Sequence, residues 1–293
     1  MDAITEVSQE IGMTKGYLQR ILSNTNKYYR VTSKKKKTGK LRRIESPGKV
    51  LKGIQRWLLN VRISQDKVPS NIFGFIPHRN IKDNALMHIN NRFLLNMDIE
   101  DFFPSIGSKK IQKAFQKLGY SKEKSEIYTK LCTYNEHLPQ GAPTSPSISN
   151  LIFIDIDINI LKITTAAAIT YSRYADDLSF SSNNFEDLKL LEKKIIKLLN
   201  KNNFSINRNK TKYLTRKNKF TVTGLILNSG KPTIGRDKKR LLRSMIHHYI
   251  SKKNVSLESK ILGHLSFIKD IEPDYFKKYI KYIEKINKKY SKK

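Results

Sequence analysis

The chain has 293 residues, with 57 Lys and Arg against 25 Asp and Glu, a formal net charge of +32. Self-repulsion on that scale excludes a protein that meets only small neutral ligands and calls for a polyanion; nucleic acid ranks ahead of a membrane surface because the basic residues are spread over many segments. The single cysteine, Cys132, excludes an internal disulfide and a cysteine-based zinc site and fits a reducing cytoplasm.

The opening Met1-Asp2-Ala3-Ile4-Thr5-Glu6 lacks a secretory pattern, and the most apolar run, Leu151 to Ile163, is interrupted by Asp155 and Asp157, so no membrane partner is expected. The length predicts one large or two to three modest subdomains. Ile4, Val7, Ile11, Leu18, Ile21 and Leu22 around Gly12-Met13-Thr14 predict two short helices, the second capped by Thr14. Either a DNA-reading helix pair or simple packing accounts for them. Tyr28-Tyr29-Arg30-Val31 and Leu41-Arg42-Arg43-Ile44 bracket the basic loop Ser33 to Lys40, a hairpin that would carry Arg43 and its neighbours to phosphates. Leu51, Ile54, Trp57, Leu58 and Val61 have helical spacing, with Trp57 a core residue.

Asn84-Ala85-Leu86-Met87-His88 lies on a polar helix, and a lone histidine there reads as a satisfied structural residue. Phe93 to Pro104 begins as a buried strand and ends acidic and aromatic, so that Asp98 emerges where a core strand stops. Residues 108–133 form a helical segment. Leu138 to Pro146, with three prolines and a glycine, is a rigid loop before a helix starting near Ser147, capped by Thr144 or Ser147. Gln140-Gly141 beside that helix start would suit backbone and amide contacts to a nucleotide.

Tyr171 to Phe180 reads as strand, tight turn, strand, with Asp176-Asp177 at the tip and no glycine. Adjacent carboxylates repel unless a cation lies between them, and Asp98 is the natural third ligand. Leu188, Leu191, Ile195 and Leu198 then mark an amphipathic helix, Phe204 to Leu214 a short strand and turn, and Phe220 to Leu227 a further strand. The alternation is that of an α+β sheet with helices on one face. From Lys231 onward, eighteen Lys and Arg face six Asp and Glu, and Phe276, Tyr279, Ile280, Ile283 and Ile286 form one apolar stripe: a small basic helical domain.

Three carboxylates converging in a basic protein fit phosphoryl transfer by two Mg²⁺ ions ~3.5–4 Å apart. Asp98-Ile99-Glu100-Asp101-Phe102-Phe103, Leu138 to Pro146 and Tyr174-Ala175-Asp176-Asp177 resemble, in order, the palm motifs of reverse transcriptases. Asn84-Ala85-Leu86-Met87-His88 and Val222-Thr223-Gly224 are similar to two elements of bacterial retron reverse transcriptases. The likeness runs from about residue 28 to the C-terminus. It implies a right-hand polymerase fold with fingers, palm and a small helical thumb: an N-terminal segment 1–27, fingers 28–92 with part of 107–139, palm 93–230 and thumb 231–293. It implies that Asp98, Asp176, Asp177 and the Ile99 carbonyl hold Mg²⁺, with Mn²⁺ able to substitute. Phe103 would be the steric gate against a ribose 2′-OH, Gln140 and Gly141 would contact the incoming dNTP, and Arg43 would meet its triphosphate. Asn84, His88, Val222, Thr223, Gly224 and Leu225 would meet RNA or primer, and Lys210 would protonate pyrophosphate.

The resemblance further implies a structured non-coding RNA as template and as primer through an internal guanosine 2′-OH. The product would be a branched RNA-DNA hybrid serving anti-phage defence with a separate effector protein, in a bacterial cytoplasm. The chain length is expected to leave no room for an RNase H or endonuclease domain. The alternatives are a group II intron-like or abortive-infection reverse transcriptase, an RNA-directed RNA polymerase, which Phe103 disfavours, and a non-catalytic RNA-binding scaffold.

Overall fold

The computed structural model describes residues 2–35, 39, 41–63, 68–217, 219–227 and 230–290. At the N-terminus, α1 (Ala3–Ile11) and α2 (Lys15–Ser23) are joined at Gly12, whose φ of 75° ends the first helix; the Thr14 side chain accepts from the Tyr17 amide. Val7, Leu18 and Ile21 are fully buried in the main core, which favours the packing alternative. A two-stranded hairpin follows, β1 (Tyr29–Lys35) and β2 (Leu41–Pro47), with Thr32 opposite Ile44. Lys36, Lys37, Thr38 and Lys40 of the basic loop lie outside the described residues. Next come α3 (Lys49–Val61), whose Leu51, Ile54 and Leu58 are buried and whose Trp57 packs against the core, and α4 (Ile81–Met87), capped by the Asn80 side chain.

After β3 (Phe93–Asp98), the predicted single helical segment is two helices, α5 (Ser108–Lys117) and α6 (Lys122–Cys132). Gly119, at φ 93°, breaks the run and Ser121 caps α6. The long helix α7 (Ser145–Ala166) begins two residues earlier than predicted, because Pro146 fits its first turn; Thr144 takes the cap position without a side-chain bond. The centre of the chain continues with β4 (Thr170–Tyr174), β5 (Asp177–Ser182), α8 (Phe185–Lys201) and β6 (Lys212–Thr215). The predicted strand over 220–227 is a miniature hairpin instead, β7 (Thr221–Val222) and β8 (Leu225–Ile226). Thr223 and Gly224 both have positive φ, 45° and 81°, which turns the chain in two residues. Three helices complete the chain: α9 (Arg236–Ser251), α10 (Glu258–Ile271) and α11 (Pro273–Tyr290).

The central sheet has the order β4-β5-β3-β6, with every neighbour antiparallel. Strand alternation gives it two unlike faces. Leu95, Met97, Tyr171, Leu178 and Phe180 pack into the main core with residues of α7 and α8, and Tyr171 stacks on Phe180 at 5.0 Å. Asn96, Asp98, Asp177 and Ser179 lie on the opposite, polar face, whose far end is closed by α4 and the residues after it. A second apolar cluster, including Ala85, Leu94, Phe220, Val222, Leu225 and Leu242, joins that end to the C-terminal helices.

His88 caps α4 and is the closure's polar pin. It is fully buried, with Nδ1 and Nε2 each 2.7 Å from a serine Oγ, Ser181 on β5 and Ser172 on β4. This corrects its assignment to RNA, since no ring atom is left to reach a ligand. Burial pulls its pKa from the ordinary 6.5 down to about 3, so the folded protein holds it neutral. Below 6.5 the unfolded chain binds a proton that the folded chain refuses, and stability falls as pH drops toward 3. Between pH 7 and pH 5 the wild type should lose about 2 kcal/mol more than His88→Gln, measured by urea denaturation. Equal losses would refute the assignment.

Candidate active site

β3 and β5 bring the first two carboxylates together. Asp98 and Asp177 are direct cross-strand partners at the end of the ladder, on the same face. Like charges so placed are destabilising unless a cation is shared. Asp176 stands beside them in the β4–β5 turn, and its carbonyl accepts from the Ile99 amide at 3.0 Å, which ties the strand carrying Asp98 to the turn carrying its companions. Ile99 itself is buried. The Asp177 carboxyl sits at the cleft mouth, open to water by area yet hemmed by the walls. Desolvation there, with the charges of Asp176 and Asp98, pushes its pKa up to about 7. For Asp176, burial and Asp98 push in the same direction, against its own amide, Lys210 and Arg42.

Lys210 closes the site from below, its Nζ 2.7 and 2.9 Å from the two Asp98 oxygens. Burial works to lower the lysine pKa, but Asp98, Asp176 and Asp177 outweigh it and hold the ammonium charged. Among the described residues no group of three acidic, histidine or cysteine side chains is already gathered at metal-ligand spacing. The donor set nevertheless fits a hard divalent cation: oxygen ligands only, mutually repelling, with Asp98 already satisfied by a positive charge.

Phe103 and Gly141 line one cavity of about 380 Å³ with Lys52, Arg56, Phe75 and Pro143. Phe103 is held by the rings of Phe102 and Phe75, at 5.3 and 6.2 Å. Gly141, at φ 140°, has the β2 backbone against it, and a Cβ there would lie 2.9 Å from the Glu45 oxygen and 3.1 Å from Ile44 Cγ2. The neighbouring Gln140 carbonyl accepts from the Glu45 amide at 2.9 Å, so the β1–β2 hairpin and the Gln-Gly loop are one hydrogen-bonded unit.

Arg43 does not face this cleft. Its Nε is 3.0 Å from Glu45, the guanidinium lies 5.8 Å from the Tyr134 ring centre, and Glu45 also binds His137 at 3.0 Å. Period-two alternation puts Arg42 on the other side with Ile44, the side laid on Gly141, and its charge reaches Asp176. The alternation, legible in the sequence, sets Arg42 and Arg43 on opposite faces, and the contact of β2 with Gly141 selects Arg42 as the one on the cleft side.

The two retron-like elements meet in space. Asn84 is buried and its Nδ2 is 3.5 Å from Thr223 Oγ1, while Val222 and Leu225 are fully buried in the second cluster. These four positions therefore hold the junction between the sheet and the C-terminal helices. Thr223 and the exposed Gly224 also line a cavity of about 690 Å³ that contains Tyr174, Asp177, Lys212 and Lys238. Sequence reasoning missed a buried support behind the turn: Arg173, Asp157 and Asn150, all fully enclosed. The available signal was Asp157, a charge inside an apolar helix.

Residues 33–227 match the family model of the reverse transcriptases, RNA-dependent DNA polymerases. Aligned over its whole length, the chain is 34% identical to the retron Ec86 reverse transcriptase of Escherichia coli and covers 92% of it. It is 31% identical to the retron Ec83 reverse transcriptase of the same species, over 90% of this chain and 87% of that one. With the retron Mx65 reverse transcriptase of Myxococcus xanthus it shares 28% identity, over 93% and 68%. An apo telomerase from Candida tropicalis superimposes with a TM-score of 0.56 at 12% identity, over 88% of this chain and 58% of that one, which is a likeness of fold. Fold and site together define an RNA-directed DNA polymerase with the right-hand architecture. The chain belongs to the bacterial retron reverse transcriptases. RNA template and deoxynucleotides are its partners as a polymerase, and a divalent metal is its general requirement. Among the described residues no helix is long and apolar enough to cross a membrane.

Proposed function

We propose that this polymerase copies part of a structured non-coding RNA into DNA, starting from an internal guanosine 2′-OH of that RNA and leaving a branched RNA-DNA hybrid. The hybrid serves anti-phage defence in the bacterial cytoplasm with a separate effector protein. The observation that carries the chemistry is the cross-strand pair Asp98 and Asp177 with Asp176 beside them. The retron-like elements around Asn84 and Thr223, in a chain whose relatives are retron reverse transcriptases, support the priming.

Asp98, Asp176 and Asp177, with the Ile99 carbonyl, would hold Mg²⁺, or Mn²⁺ in its place, and the bound ions would supply Lewis-acid activation of the attacking hydroxyl and charge neutralisation of the leaving oxygen. Arg42, on the cleft side of β2, would bind the triphosphate, while Gln140 and Gly141 shape the nucleotide's seat with Phe103 against its sugar. A ring there clashes with a 2′-OH, which favours dNTPs. Lys210 keeps its proton beside Asp98 and would give it to departing pyrophosphate. The regions that the resemblance divides into fingers, palm and thumb would close around the duplex. Gly224 and Lys238, on the wall of the larger cavity, face the primer strand, and the basic C-terminal helices grip its phosphates.

The priming is tested on nucleic acid copurified from the bacterial host. Sequencing with and without a 2′,5′-debranching enzyme should show DNA joined to a guanosine 2′-oxygen within one RNA. Only unbranched cDNA would refute it.

A further inference from the structure

The turn that carries Asp176 is built from unfavourable parts. Ala175 sits at φ 58°, a left-handed conformation for a residue with a Cβ, and the turn contains no glycine. Such a conformation persists only where its surroundings over-determine it. Behind it lies a buried guanidinium whose donors are nearly all assigned. Arg173 Nε is 2.9 and 3.2 Å from the two Asp157 oxygens and Nη2 is 2.7 Å from Oδ2. Its Nη1 is 3.1 Å from both Asn150 Oδ1 and the Ala175 carbonyl, and the group stacks 4.9 Å from the Phe153 ring centre.

Each partner is itself anchored. Asp157 also accepts from Tyr171 Oη at 2.7 Å, and Asn150 Nδ2 donates to the Gly74 carbonyl at 2.9 Å. The Arg173 backbone is clasped by the same segment: its amide donates to Asn71 at 3.1 Å and its carbonyl accepts from Phe73 at 2.9 Å. A fully enclosed ion pair is weak evidence of stabilisation, because desolving both charges costs about what their attraction returns. What this pair does have is direction, since one guanidinium nitrogen is spent on the carbonyl of the strained residue immediately before Asp176.

We propose that Arg173, oriented by Asp157 and Asn150, is a positioning residue that fixes the Ala175 carbonyl and thereby aims Asp176 and Asp177 at Asp98. The function of the network is alignment of the metal-binding turn, and its link through Gly74 joins that alignment to the segment preceding α4. The proposal rests on polymerase activity and not on the branched priming, so it is tested on a plain RNA template with an annealed DNA primer.

Three variants separate alignment from stability. Asn150→Ala leaves the ion pair in place but removes one of the two acceptors of Nη1, the one that holds it against the Ala175 carbonyl; Arg173→Lys keeps the charge without the fork; the double variant Asp157→Leu with Arg173→Met replaces the pair by apolar groups. For each, thermal melting, template-primer affinity, kcat and KM for dNTP, and Mn²⁺ binding to the nucleotide-free protein by electron paramagnetic resonance are measured. Displacements of about 1 Å at a reacting centre cost about a hundredfold in rate. Asn150→Ala and Arg173→Lys should therefore bind template-primer within about twofold of wild type, lose roughly tenfold to a hundredfold in kcat with little change in KM, and need severalfold more Mn²⁺ for half-saturation. Asn150→Asp, which keeps the acceptor, should recover part of the rate lost in Asn150→Ala. The double variant removes the partners of Tyr171 Oη, Asn150 Oδ1 and the Ala175 carbonyl, so it should melt below wild type, and where folded at the assay temperature it should still lose kcat. Wild-type kcat and Mn²⁺ midpoint in Asn150→Ala or in a folded double variant would overturn the proposal. So would losses in Asn150→Ala and Arg173→Lys that merely track a lowered melting temperature.

Discussion

Replacing Asp176 and Asp177 together by asparagine should reduce dNTP incorporation on an RNA template at least about a thousandfold, on the order of 4 kcal/mol in the barrier, while template-primer affinity stays within about twofold. The amides keep the size of the side chains and the turn, so the loss reports charge. The metal-free protein should respond in the opposite sense. Asp177 has a folded-state pKa raised to about 7 against an ordinary 3.8, first by desolvation in the cleft and then by Asp176 and Asp98. A carboxyl raised in this way is bound by a proton more tightly in the folded chain than in the unfolded one. Its contribution to stability is therefore greatest at low pH and is lost as pH rises through about 7. At pH 8, without divalent ions, the double variant should melt above the wild type, and added Mg²⁺ should raise the wild type alone. Retained synthesis would sink the assignment of the site, and a lower melting temperature would sink the electrostatic account of it.

The division between what the sequence revealed and what it hid follows interaction range. Asp98, Asp176, Asp177 and Gly141 were legible because each belongs to a local pattern, a strand that stops, a turn with paired carboxylates or a proline-rich loop, whereas Phe103 was singled out only by the family resemblance. Helix starts at Thr14 and the apolar faces of α3 and α8 followed from capping and periodicity for the same reason. Errors of one residue arose where register decides. Arg42 and Arg43 are interchangeable in composition and opposite in direction, and only the pairing of β2 with the Gln140 loop fixes which of them faces Asp176. Thr223 was taken into a strand because its β-branched neighbours favour one, whereas its positive φ is set by the packing of Val222 and Leu225 into a separate cluster. Arg173 and Asp157 were hidden more deeply, since their meaning lies in a contact across sixteen positions between a helix and a strand.

Gly74 shows how little room the catalytic turn has, and Gly74→Ala should be the most damaging single-methyl change in the protein. A Cβ at this position would stand 2.3 Å from the Ala175 nitrogen, 2.9 Å from the Tyr174 carbonyl carbon and 3.2 Å from the Ala175 Cα. All three are backbone atoms, so no side chain can rotate away. Relief requires the segment at 71–74 or the turn itself to move by about 1 Å, and both are held, one by Asn150 and the other by Arg173. Overpacking of this kind costs about 1–3 kcal/mol in stability, and a shift of the turn costs about a hundredfold in kcat. Gly263 in α10 provides the contrast: an added Cβ meets nothing within 4 Å and its φ is ordinary, so Gly263→Ala should stabilise by up to about 1 kcal/mol and leave kcat alone. Steady-state incorporation and thermal melting of the two variants, measured side by side, decide the matter. If Gly74→Ala kept full kcat, the turn would have slack that the surrounding hydrogen bonds do not allow, and the close approach of Gly74 to Ala175 would have no part in holding Asp176 in place.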